Sequence, residues 1–211
     1  MLDRTGFDQW AEGYDRSVEE SEAAEQYPFA GYQRVLETIC RRVREGEGKA
    51  VLDLGVGTGE LSRRLYEQGC QITGVDFSAQ MLEAAREKMP GAELLQADFS
   101  RGLPPELAGR RFDFILCTYA IHHLDGGQKL RLIRSALDHL PEGGMLLIGD
   151  VAFATREELE ACQARCGGAW DSDECYPVAE ELRAAFPGLE FEPISFCSGV
   201  LTLKKAPDGK S

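Results

Sequence analysis

Residues 51–59 read Val-Leu-Asp-Leu-Gly-Val-Gly-Thr-Gly, and this stretch constrains the fold more than any other. A short apolar run over 50–54 leads into three glycines at alternate positions, and helical spacing (Leu61, Leu65, Tyr66) follows over 60–68. Glycine turns a chain tightly and lets the backbone approach a ligand, so the stretch predicts a buried strand, a turn and a helix. The unit then recurs. Strand-like runs over 71–76, 92–97, 111–117 and 144–151 alternate with helical patterns over 79–89 and 127–140, the second with a stripe of Leu130, Ile133, Leu137 and Leu140. Near-continuous apolar strands separated by helices predict a parallel sheet covered on both faces. Two further runs over 191–196 and 199–203, parted by Cys197 and Ser198, predict a closing antiparallel hairpin. The expected fold class is α/β: a doubly wound, mostly parallel seven-stranded sheet with an antiparallel C-terminal hairpin and an N-terminal helical lid. One domain spans 1–211, divided into a lid (1–46), a core (47–154), a helical insertion (155–189) and the hairpin (190–204). The stripe Val35, Leu36, Ile39 and Val43 marks one helix of the lid.

Charge removes several classes of function. The 211 residues hold 36 acidic and 23 basic side chains, a net charge of −13, and a surface of that sign repels phosphate backbones and anionic membranes. No apolar run approaches the roughly 20 residues that span a bilayer. Asp3, Asp8 and Glu12 stand where a signal peptide needs basic then apolar residues, so a cytoplasmic protein is expected. The segment 155–192 carries ten acids against three arginines, which reads as a solvated helical face. Seven scattered cysteines, an odd number, do not form a disulfide framework. Cys162, Cys166 and Cys175 lack a fourth ligand or a CxxC pair, so no metal is expected.

The glycine turn narrows the ligand. A dinucleotide fingerprint places its third glycine or an alanine at position 60, where this chain has Glu60, and a carboxylate at that helix start disfavours a pyrophosphate. No GxxxxGK[ST] occurs, which excludes a P-loop. Asp53 lies two residues before the first glycine and can help hold an ammonium group beside the turn of Gly55 and Gly57. Asp76 ends the second strand, 21 residues after Gly55, where a carboxylate can accept both hydroxyls of a ribose. Asp98 ends the third strand and can accept from an adenine amino group, with Phe77, Met81 and Phe99 as candidates to sandwich the ring. Each of these apolar residues can equally be core. Three acids at three successive strand ends are harder to explain by packing, because ligands of such sheets bind outside the carboxyl edge.

These pieces, VLDLGVGTG (51–59), GVDFS (74–78), QADF (96–99), FDFILCTYAIHHL (112–124) and LPEGGMLLIGD (140–150), resemble the class I S-adenosylmethionine-dependent methyltransferases in order and spacing. The opening Phe7-Asp8-Gln9-Trp10-Ala11-Glu12-Gly13-Tyr14-Asp15, with Gln26-Tyr27 and Gly31-Tyr32 downstream, is similar to small bacterial methyltransferases of the YrrT type. The resemblance implies S-adenosyl-L-methionine as cofactor, held around Gly55, Asp76 and Asp98, with N-terminal helices over its methionine end.

The residues after the fourth strand restrict the acceptor. Base-amine methylation resembles a (D/N/S)PP(Y/F) signature, and Cys117-Thr118-Tyr119-Ala120 stands there instead. No Pro-Cys pair offers a cytosine-carbon nucleophile, and Asp150 is followed by Val151 rather than by the asparagine of metal-assisted catechol methylation. A small-molecule acceptor is expected, with no nucleic-acid or membrane partner. His123 is the preferred general base, since an unperturbed imidazole titrates near neutral pH, and Tyr14 is a second candidate catalytic group. His122 and Tyr27 are candidate acceptor contacts. Tyr119 is placed with the cofactor, since an aromatic face favours a sulfonium. Any of the histidines and tyrosines can instead shape a turn or pack a lid. A protein that binds the cofactor without turnover, and a nicotinamide-dependent oxidoreductase, stay open on sequence alone.

Overall fold

Residues 50–54 are apolar but for Asp53, and in the computed structural model they form an interior strand of the sheet, buried from Val51 to Leu54. The structure describes Glu22 and residues 25–206. Helix α1 (Tyr32–Glu45) precedes β1 (Ala50–Leu54), and α2 (Glu60–Glu67), β2 (Gln71–Asp76), α3 (Ala79–Lys88) and β3 (Glu93–Gln96) follow. Next come β4 (Phe114–Thr118), α4 (Gly126–Asp138), β5 (Met145–Val151), α5 (Arg156–Cys166), α6 (Ala179–Arg183), β6 (Glu190–Pro193) and β7 (Ser198–Lys204). The seven strands run in the order β3-β2-β1-β4-β5-β7-β6. The first five pair in parallel, whereas β7 is antiparallel to both β5 and β6. Strand order reverses between β1 and β4, so the chain leaves these neighbours in opposite directions and opens a crevice at their carboxyl ends.

Alternating side chains build two apolar layers. Val51, Phe114, Leu116, Leu147 and Val200 join one cluster with residues of α1, α2, α3 and α5. Leu52, Ile115, Leu146, Ile148 and Leu201 point the other way, into a cluster with residues of α4 and α6. Val35, Leu36, Ile39 and Val43 are all buried, so α1 is a layer of the core, lying against β5 and β7. Its approach is close. A Cβ at Gly149 in β5 would stand 2.5 Å from Val35 Cγ1 and 2.9 Å from Ile39 Cδ1.

Several expected elements are shortened: the run over 191–196 ends at Pro193 and that over 92–97 forms only Glu93–Gln96. The fourth strand starts at Phe114 rather than at 111, because Asp113 turns its carboxylate onto the backbone N–H groups of Lys49 and Ala50 (2.8 and 2.9 Å) and so ties down the start of β1. The insertion is helical only over α5, one 3-10 turn and the five residues of α6. Gly167, in the left-handed region at φ 53°, ends α5, and residues 170–178 pack through aromatic rings instead of a helical stripe. The expected lid residues 1–21, 23 and 24 lie outside the described residues. Among those described, no helix is long and apolar enough to cross a membrane.

Candidate active site

At the carboxyl end of β1 the chain turns through Gly55 at φ 80°, and a Cβ there would lie 2.5 Å from that of Ala120. Glycine is required for both reasons. Gly57, two residues on, faces open space. Asp76 fixes this turn from the next strand: one carboxylate oxygen accepts from Gly57 N and the other from Ser78 N, each at 2.9 Å. Each carboxylate oxygen has two acceptor sites, so Asp76 can hold two loops in register and still receive hydroxyl groups. Ser78 caps α3 by accepting from Met81 N, which sets the Met81 side chain.

Asp53 is fully buried at the base of the turn. Its Oδ2 accepts from Ser62 Oγ at 2.6 Å, and its Oδ1 has no hydrogen-bond partner among the described residues. Burial pushes its pKa up to about 6, against the Ser62 hydrogen bond and with help from the Asp76 charge. Asp98, more exposed, accepts from Ser100 N at 3.0 Å and pairs with Arg101 at 3.3 Å. Glu60 also borders the site, with Arg64 at 2.9 Å and Arg63 at 3.5 Å on its carboxylate.

These groups line one cavity of about 680 Å³. Asp53, Gly55, Gly57, Asp76, Phe77, Met81, Asp98, Phe99 and Tyr119 all face it, as does His123. Tyr27 and His122 do not, and Tyr14 lies outside the described residues. Tyr27 stacks on Trp170 with ring centroids 5.2 Å apart and bonds to the Tyr176 hydroxyl, joining the segment before α1 to the insertion. Sequence reasoning missed Tyr32, Leu36 and Thr118 as lining residues; the stripe of α1 was visible, but not that its upper end reaches past the sheet edge.

The wall formed after β4 is strained. Tyr119 has φ 47°, in the left-handed region that a bulky side chain rarely enters, while its N–H donates to Gly149 O at 2.8 Å and its ring lies against Tyr32 and Phe29. Such strain persists where surrounding contacts over-determine the backbone, and it clusters at functional sites. One turn later the rings of His122 and His123 meet at 4.1 Å. Burial, and then the neighbouring His122, lower the His123 pKa to about 4, so its imidazole is neutral at physiological pH. His122 is buried behind it, with Nδ1 2.7 Å from Asp150 Oδ1. Burial alone would depress His122, but the charges of Asp150 and Glu174 outweigh it and raise the pKa.

A family model described as a methyltransferase domain matches residues 51–144. An uncharacterised methyltransferase of Geobacillus kaustophilus is 40% identical over 165 residues, covering 75% of this chain and 73% of that one. Another, from Oceanobacillus iheyensis, is 32% identical over 197 residues, 90% and 89% of the two chains. Among solved structures, a DhpI–SAH complex superposes with a TM-score of 0.68 at 19% identity (97% and 95% covered), and magnesium protoporphyrin IX methyltransferase from Synechocystis with bound SAH does so with 0.68 at 18% (97% and 100%). The chain belongs to the class I S-adenosylmethionine-dependent methyltransferases. The donor set suits that cofactor: Asp53 has a buried carboxylate oxygen with no partner among the described residues, Gly57 leaves backbone space, and apolar rings flank the acidic strand ends.

Proposed function

We propose that this enzyme methylates a small molecule inside the cavity at the β1–β4 switch point. What supports the reading is the convergence of Asp53, Asp76 and Asp98 on a single cavity that also includes His123, at a volume typical of small-molecule sites. Asp76 would take the ribose hydroxyls, Asp98 the adenine amino group between Phe77, Met81 and Phe99, and Asp53 the ammonium beside Gly55 and Gly57. S-adenosylmethionine, when bound, supplies a methyl group already activated on a sulfonium. The chain's own task is to align the acceptor and exclude water, since orientation supplies much of the acceleration of a displacement.

Tyr119 and Tyr32 give the cavity the aromatic faces that suit a sulfonium. His123 presents a neutral imidazole to the acceptor, and because a pKa of about 4 makes it a weak base, it would position the acceptor by hydrogen bonding rather than carry its proton away. Tyr27, stacked on Trp170, would reach the acceptor from the insertion side, and His122 would act through His123. The magnesium protoporphyrin IX methyltransferase, named for a small compound, favours the same acceptor class.

Incubation with methyl-labelled S-adenosylmethionine and separated metabolite, protein and nucleic-acid fractions tests this directly. Label should enter the metabolite fraction alone. Label in a macromolecular fraction, or cofactor binding without transfer to any fraction, contradicts the proposal, the latter result favouring a sensing protein.

A further inference from the structure

We propose that His122, His123 and Glu174 form a binding site for one divalent transition-metal ion, zinc by donor type, against the wall of the cavity. One ligand atom from each of the three residues lies within 4.8 Å of the other two. His122 Nε2 is 3.5 Å from Glu174 Oε1, close to the roughly 3.3 Å that separates ligands about 2 Å from a shared tetrahedral ion. Two imidazoles and a carboxylate are a donor set for zinc, and three protein ligands leave a fourth position open.

The outer partners distinguish this cluster from an accidental meeting of polar side chains. Asp150 Oδ1 accepts from His122 Nδ1, which turns the other ring nitrogen, Nε2, toward Glu174. Tyr176 donates its hydroxyl to Glu174 Oε2, leaving Oε1 on the histidine side, and the Tyr27 hydroxyl meets that of Tyr176 in turn. A histidine oriented by a carboxylate and a ligating carboxylate that is itself hydrogen-bonded are the outer-shell features of metal centres. Asp150 is fully buried, and its Oδ1 also accepts from Val151 N at 2.7 Å, so the carboxylate that orients His122 is itself fixed by the backbone.

The use of the ion rests on the methyl-transfer reading. Because His123 lines the cavity, an ion on its ring can meet an acceptor there. The substrate class this favours is a hydroxyl or thiol compound, whose proton is lost to solvent as its oxygen or sulfur is drawn to the ion.

The test uses the full chain stripped with a chelator, titrated with zinc chloride by calorimetry and with cobalt chloride by visible absorption. One ion per chain should bind, with the d–d bands of a four-coordinate site. Glu174→Gln should weaken binding at least tenfold, and Asp150→Asn by roughly 10- to 100-fold. Cys175→Ser should leave it unchanged, which excludes the exposed neighbouring thiol. Glu174 is partly exposed, so its variant keeps the decision available if Asp150→Asn does not fold. Absence of stoichiometric binding at millimolar ion, equal affinity in Glu174→Gln, or loss in Cys175→Ser overturns the site. S-adenosylhomocysteine binding, measured on the same samples, reports separately on the methyltransferase reading.

Discussion

Asp76 carries two duties that the sequence shows as one. Its position predicts a ribose acceptor, but the carboxylate also clasps Gly57 N and Ser78 N, so its removal should loosen the two turns that shape the adenosyl end. Asp76→Ala should weaken S-adenosylhomocysteine binding by about 1.5–3 kcal/mol, roughly 10- to 150-fold, the scale of hydrogen bonds to a charged group; unchanged affinity in calorimetry would remove the ribose assignment. Asp53 gives a pH signature. Folded, it keeps its proton up to about 6, whereas an exposed carboxylate loses it near 4. The stability it contributes is therefore complete at low pH and is lost as pH rises between those values, by about 3 kcal/mol. Urea denaturation should show Asp53→Asn gaining on the parent protein across that window. Cofactor affinity should move the opposite way, rising through pH 6 as the carboxylate that meets the ammonium ionises, and the Asn variant should lose that slope. Asp76 and Cys117 also face Asp53; burial keeps the Cys117 thiol neutral there, and a flat affinity profile in the parent protein would dissociate Asp53 from the ammonium.

Among the elements, those bounded by turn residues were the most legible. Strands β1 and β2 start and stop where the sequence predicts, because glycines bracket one and Asp76 ends the other, and α2 and α3 are framed by Gly59 and Ser78. Every expected cofactor residue falls on the cavity, and each but Met81, in the first turn of α3, sits at a strand end or in a turn, where its direction follows from the fold class. The insertion was not legible. Trp170, Tyr176 and Tyr27 hold it through ring contacts without any repeat, and Glu174 reaches His122 across 52 positions of sequence. The positive φ of Tyr119 likewise has no residue-type signal, since glycine or asparagine is the usual occupant. Helix α1 was read as a lid stripe, yet its contact with β5 makes it part of the core. Gly149→Ala should therefore destabilise the protein by about 1–3 kcal/mol through overpacking, and Val35→Ala in the same chain should return part of that loss. Strict additivity in urea denaturation would place α1 elsewhere.

Across the whole molecule, the net charge of −13 and the acids around the cavity favour a cationic ligand. S-adenosylmethionine carries one more positive charge than its demethylated product, so raising the ionic strength should weaken the cofactor more than S-adenosylhomocysteine. An equal effect on both in paired titrations would mean that long-range charge plays no part in cofactor choice. The doubly wound sheet places every feature of the site at one edge: the glycine turn after β1, the acids after β2 and β3, and the strained wall after β4. The whole site therefore depends on one occupant of that edge, and a crystal structure with S-adenosylhomocysteine tests this most directly. Density for the ribose should lie on Asp76 and for the amino-acid tail on Gly57 and Asp53, with unfilled space between the sulfur and His123. Density elsewhere, or an adenosyl group that leaves these carboxylates untouched, would contradict it.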